Sequence, residues 1–211
     1  MRQLIITLFT LLSLFVCKAQ PYLYGLTGTG RANGLGSISK YDIATNSLTS
    51  VHSFSIVDGT NPTGSLLQVS NGLFYGLTLN GGLNGLGTIF SFDPISQTYL
   101  KLYDFNEASG SRPFGSLIQA TDGRLYGLTS QGGTNDKGVL FSYDVNTNGY
   151  TKHHDFTGTD GANPYGSLLQ ASNGLLYGVT PYGGTDPQNQ PTGAGVLFSF
   201  NIITGTYLVL Q

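Results

Sequence analysis

Residues Gly115–Thr129 read Gly-Ser-Leu-Ile-Gln-Ala-Thr-Asp-Gly-Arg-Leu-Tyr-Gly-Leu-Thr, and nearly the same string stands 51 residues earlier at Gly64–Thr78 and 51 later at Gly166–Thr180. Ser116–Ala120 and Arg124–Thr129 are short runs of β-formers. Thr121-Asp122-Gly123 between them is a tight-turn signature, because Gly accepts positive φ without strain. The stretch therefore reads as a β-hairpin that recurs along the chain.

The recurrence extends outward from it. Tyr24, Tyr75, Tyr126 and Tyr177 lie 51 apart, each followed by Gly, and Phe54, Phe105 and Phe156 keep the same step. Downstream of Thr129 comes a loop holding Gly132-Gly133 and Gly138. A third run, Val139–Tyr143, ends at Asp144, and a fourth follows at Tyr150–Phe156. We label the four runs a, b, c and d. The c–d connection starts with Asp42, Asp93, Asp144 or Asn201, whose short side chains can bond backbone N–H groups two or three residues on. Its spacing resembles the Asp-x-x-Thr-Gly hairpin of quinoprotein-type and other β-propellers.

Four antiparallel strands per 40–50 residues is the period of a propeller blade. Each unit then buries its aromatic face against its neighbour, which none can do alone. The sequence predicts an all-β, propeller-like array of about four four-stranded blades, with units at about 22–56, 64–107, 115–158 and 166–211. The first unit begins at run b and lacks the inner strand a. The last ends at Tyr207–Gln211, inside run d. An open arc, a four-bladed ring with a defective seam and a truncated reading frame all fit that count, and the ending in mid-strand favours truncation.

The core pattern Leu-Tyr-Gly-x-Thr, then Gly-Gly, then Gly-x-Leu-Phe-Ser-Tyr/Phe-Asp resembles the GloVer-type choice-of-anchor tandem repeat of secreted bacterial proteins, over nearly all of residues 22–211. The resemblance implies exported tandem repeats, predicted to be β-propellers and often followed by a surface-anchoring tail. It implies no catalytic set. No such tail is read within these residues, which fits the expected truncation, and Gly30-Arg31 stands where later copies have Gly-Gly.

Residues 1–19 read as a secretory signal: Arg2, then the uncharged run Leu4–Val16, then Cys17-Lys18-Ala19 before a cut that leaves Gln20 first. The run is too short for a bilayer span of about 20 residues. A lipoprotein anchored on Cys17 is the rival, disfavoured by bulky Phe15 and Val16. Cleavage removes Arg2 and Lys18 from the nine basic residues, leaving seven against eleven acidic ones, and also removes the one Cys. The expected mature chain is secreted or held at the cell surface, has no membrane span and cannot form a disulfide or use a thiol. Charged residues are only 9% of the chain, and no basic patch suits nucleic acid.

Chemistry is sparse. Asp42, Asp93 and Asp144 recur in the hairpins, Asp104 and Asp155 precede the strand-d Phe, and Asp58 and Asp160 open Asp-Gly turns. A residue repeated in every blade points to a structural role. His52 and His154 share a repeat position with Tyr103, which favours a flat half-buried ring over a metal or acid–base role. His153 and His154 are expected on opposite strand faces, unable to chelate one ion. The Gly-rich loops such as Gly81–Gly87 precede strands, not helices, so they are no phosphate cradle. The reading assigns no catalytic residue, no metal and no cofactor.

Departures from the repeat point more directly to function. Asp186–Pro191 is an insertion in the last b–c loop, and in propellers the b–c and d–a loops share one face. Arg112, Tyr182, Asp186 and Asn189 are the candidate ligand-binding residues on that face, suited to a glycan or a surface protein. The expected function is a non-catalytic exported scaffold for binding. A carbohydrate-active enzyme, with Glu107 and an Asp across the channel as its acids, is the alternative.

Overall fold

The computed structural model describes residues 22–29, 34–185 and 193–210. The proposed leader at residues 1–19, Gly30-Arg31 and the insertion Asp186–Pro191 lie outside these. Fifteen strands, β1–β15, form four antiparallel sheets, and no helix occurs among the described residues. β1 (Tyr22–Thr27), β2 (Ser37–Asp42) and β3 (Ser47–Ser53) make the three-stranded first sheet. The second holds β4 (Thr60–Gln68), β5 (Phe74–Asn80), β6 (Thr88–Asp93) and β7 (Thr98–Asp104). β8 (Ile118–Gln119), β9 (Leu125–Thr129), β10 (Val139–Asp144) and β11 (Gly149–Asp155) form the third. β12 (Leu169–Gln170), β13 (Leu176–Thr180), β14 (Val196–Asn201) and β15 (Thr206–Val209) form the fourth. The first sheet lacks strand a, as the sequence predicts, and the outer strand of the fourth is a residue-poor but paired β15.

The c–d hairpins form as their chemistry dictates. Asp42, Asp93, Asp144 and Asn201 each accept from the backbone N–H two residues on, at 2.8–2.9 Å. Near the end of each turn, Asn46, Gln97, Asn148 and Gly205 take positive φ of 54°, 55°, 55° and 70°.

Strand a differs from expectation. Its ladder in the third and fourth sheets shrinks to two residues, and in β4 the register shifts between Thr63 and Leu67. In the second and third sheets a competing bond goes with this. The Ser65 N–H donates to the Ser116 hydroxyl, and the Ser116 N–H donates to the Ser167 hydroxyl, each at 2.8 Å. These backbone groups are satisfied by the next sheet instead of by their own. Gly64, Gly115 and Gly166 crowd together here, and a Cβ on Gly115 would stand 2.3 Å from the Gly166 carbonyl. Backbone contact this close marks the narrow, axial end of the array.

Between sheets the packing is aromatic and repeats. Phe54 meets Phe90, Phe105 meets Phe141, and Phe156 meets Phe198, edge to face, with ring centroids 5.3–5.6 Å apart. All six rings are fully buried. Beside them His52 stacks on Tyr99, Tyr103 on Tyr150 and His154 on Tyr207, at 3.8–4.3 Å and nearly parallel. The flat-ring reading of His52, Tyr103 and His154 matches this geometry.

The expectation that His153 and His154 face opposite ways is corrected. A β-bulge between Leu140 and Phe141 leaves His153 as the extra residue of β11. Both rings then reach the fourth sheet, His153 against Phe200 and His154 against Tyr207. The same bulge recurs at Ile38/Ser39 and Ile89/Phe90. It turns two neighbouring side chains onto the face that meets the next unit.

Candidate functional site

The b–c and d–a loops lie on one face and are woven together. Gly82 N–H donates to the Ile56 carbonyl, Gly133 N–H to Glu107 and Gly184 N–H to Gly158, at 2.7–2.9 Å. Each d–a loop also reaches forward and back. Arg112 N–H bonds the Leu86 carbonyl at 2.9 Å, and its own carbonyl accepts the Ser130 N–H at 3.1 Å. Below, Tyr99, Tyr150 and Tyr207 donate their hydroxyls to the loop carbonyls of Asp58, Ser109 and Asp160. Burial pushes all three phenols up, so they stay neutral donors. The loops are thus fixed by backbone bonds from above and aromatic hydroxyls from beneath, a rigid platform for exposed side chains.

The recurring acids of this face are spent on that platform. Asp104 accepts from Leu83 N–H at 2.7 Å and Asp155 from Thr134 N–H at 3.0 Å, each also paired with a Lys three residues back. Asp155 is held below the usual carboxylate range by Lys152 and Thr134, which outweigh its partial burial. Asp136 binds Gly132 N–H, Asp58 binds Ser55, and Asp160 binds Thr157. His154 lies 3.0 Å from Asp160, yet its pKa is lowered because burial outweighs the carboxylate, so at neutral pH an uncharged imidazole hydrogen-bonds the carboxylate. Glu107 is exposed and its carboxylate makes no hydrogen bond or ion pair among the described residues. Among the described residues no three His, Cys, Asp or Glu side chains converge as ligands for an ion.

Arg112 is exposed at φ 54°, the repeat position of Asn61 and Asn163, which share that backbone. Those two amides fold inward onto the Gly28 and Ser130 carbonyls. The Arg112 guanidinium has no partner among the described residues and is left for solvent or a ligand. Tyr182 is also exposed, its carbonyl tied to Ala162 N–H at 2.9 Å. The two sit on successive blades, and no described bond joins them. Asp186 and Asn189 lie outside the described residues.

The structure adds a pair that sequence reasoning missed. Phe114 and Tyr165 are about half exposed and pack edge to face, 5.4 Å apart. They follow the d–a loops and directly precede the crowded axial Gly115 and Gly166, so they stand at the mouth of the central axis. The available signal was again a broken repeat: the same position in the previous unit is Thr63, whose hydroxyl bonds the Pro113 carbonyl at 3.1 Å.

Known proteins add the following. The sequence profile of the Gloeobacter/Verrucomicrobia repeat matches residues 13–211. No curated protein matches significantly. Among solved structures, the Niastella koreensis GH74 enzyme is similar over 90% of this chain and 28% of its own, with TM-score 0.60 at 18% identity. A chain of the nidogen/laminin complex is similar over 90% of this chain and 60% of its own, with TM-score 0.59 at 14% identity. TolB from Acinetobacter baumannii covers 84% and 38%, with TM-score 0.50 at 16% identity. The chain spans less than two thirds of each, and at such identities the likeness shows the β-propeller fold alone.

Proposed function

We propose that this chain, which belongs to the Gloeobacter/Verrucomicrobia repeat family, is an exported, non-catalytic scaffold whose loop face binds a glycan or a surface protein. One observation carries the reading. The repeated acids and amides are consumed in holding loops, whereas the side chains that break the repeat, Phe114, Tyr165, Arg112 and Tyr182, are exposed on one rigid face. An aromatic pair two residues from an unpaired guanidinium suits stacking on a sugar ring with hydrogen bonds to its hydroxyls. Export is read from the leader pattern of residues 1–19, and mass spectrometry of the secreted chain should find Gln20 first.

A glycan array followed by calorimetry on any hit tests the binding face. Phe114→Ala with Tyr165→Ala should weaken binding at least tenfold while leaving the fold intact. Unchanged affinity, or no binding to any glycan or surface extract, overturns the proposal. The second reading, a carbohydrate-active enzyme, draws on the uncommitted Glu107 carboxylate. Polysaccharide turnover that Glu107→Gln abolishes would establish it in place of the scaffold.

A further inference from the structure

The lysines and arginines of the described residues divide into two groups. Lys101 and Lys152 pair with Asp104 and Asp155, Arg124 lies 3.9 Å from Asp144, and Lys40 sits over the Tyr22 ring. Arg112 and Lys137 are exposed, and neither side chain has an ion-pair partner among the described residues.

Both stand where the repeat is broken, and both flank the aromatic pair. Arg112 comes two residues before Phe114. The Lys137 carbonyl accepts the Asn163 N–H at 2.8 Å, which fastens the lysine backbone to the residue two before Tyr165. Phe114 and Tyr165 are themselves in contact, 5.4 Å apart. The earlier copy has Asn61, Leu35 and Thr63 at these positions, so it carries neither cation nor ring. Ring and cation enter the chain together.

Neither cation serves the fold. Asn61 and Asn163 hold left-handed backbone, which Asn tolerates, and their amides donate to the Gly28 and Ser130 carbonyls. Arg112 keeps the same backbone, at φ 54°, with no amide to turn inward onto the corresponding Leu79 carbonyl. Its own carbonyl is held twice by Ser130, from the N–H at 3.1 Å and the hydroxyl at 2.8 Å. Leu35 and Leu86 pack against apolar cores, whereas Lys137 gives up that burial. Departures from local rules of this kind mark residues kept for another role.

The positive charge is confined to this spot. The chain has nine basic residues against eleven acidic ones, so it has no general attraction for polyanions. Asp136, beside Lys137, is tied to the Gly132 N–H at 2.8 Å.

We infer that the glycan taken at the Phe114–Tyr165 pair is acidic: a polysaccharide whose uronate carboxylates meet Arg112 and Lys137 while its rings stack on the aromatics. This rests on the reading of the loop face as a glycan-binding surface and specifies the ligand. The planar guanidinium fork matches a carboxylate through two parallel hydrogen bonds, and the ammonium adds a point charge. A neutral sugar would leave both cations unanswered.

Calorimetry on the full chain tests this with polygalacturonate and alginate, each set against its carboxyl-reduced form, and with polyglutamate as an acid without sugar rings. At least one uronate polymer should bind tenfold or more tighter than its reduced form and than polyglutamate. Arg112→Asn and Lys137→Leu, which copy the residues of neighbouring units, should each weaken that binding at least fivefold, and a thermal melt verifies that they stay folded. Failure of both uronate polymers to bind overturns the inference, as does polyglutamate binding equally well. Equal affinity for acid and reduced forms overturns it too, while leaving the glycan surface standing. Uronate binding that survives Phe114→Ala with Tyr165→Ala removes both the inference and the surface it rests on.

Discussion

Replacing Phe141 by Ala is the most direct trial of the junction chemistry. The ring is fully buried, 5.3 Å from Phe105 of the previous sheet and 5.4 Å from Tyr150 of its own. It also covers Gly127, where even a Cβ would stand 2.6 Å from its tip. Removing it leaves a void between two rigid sheets whose backbones are locked together at the axis and through the loops, so the site cannot collapse. A Phe→Ala change of this kind costs about 3–5 kcal/mol. With a urea dependence of about 2 kcal/mol per molar, the unfolding midpoint should fall by roughly 1.5–2.5 M, followed by circular dichroism. Phe141→Leu, which keeps much of the volume, should cost no more than about 1.5 kcal/mol. A midpoint shift below about 0.5 M for Phe141→Ala would refute the claim that aromatic junctions hold the array.

Gln97 adopts φ 55° where the fourth sheet has Gly205. Gln97→Gly should therefore raise stability by up to about 1 kcal/mol, the left-handed strain relieved less the extra chain entropy; a lower melting temperature counts against the strain argument. Acid should weaken the fold through its histidines. Burial lowers the pKa of His52, His153 and His154 from 6.5, so the unfolded chain binds protons that the folded one resists. Their contribution is complete above about pH 6.5 and is lost as pH falls through the lower folded values. Melting temperature should be flat from pH 8 to 7 and fall below 6.5. His52→Tyr with His154→Tyr, copying Tyr103, should flatten that slope, and an unaltered slope would exclude these rings as its source.

Much of the fold was legible because its causes are local or periodic. The hairpin caps at Asp42, Asp93 and Asp144 act over two or three residues, and the inter-sheet rings recur at a fixed step. Strand a was legible as an element of the second, third and fourth sheets, but its paired length was not: in the third sheet the Ser116 N–H chooses a hydroxyl 51 residues away, a competition invisible in a run of β-formers. The bulge that turns His153 forward was hidden for a similar reason: alternation along a strand assumes an unbroken ladder. On the candidate face, Arg112 and Tyr182 were found by asking what departs from the repeat. Phe114 and Tyr165 depart from it equally, but apolar residues at a strand's start read as core until their exposure is known.

The sameness of the joints has a genetic corollary. Phe54–Phe90, Phe105–Phe141 and Phe156–Phe198 are one fitting used three times. Slippage during copying of the gene that removes or duplicates 51 codons in frame would bring a compatible plug and socket together at the new seam. The protein can thereby lengthen or shorten by whole modules without any fresh contact having to evolve, while the side chains displayed at the rim change with each event.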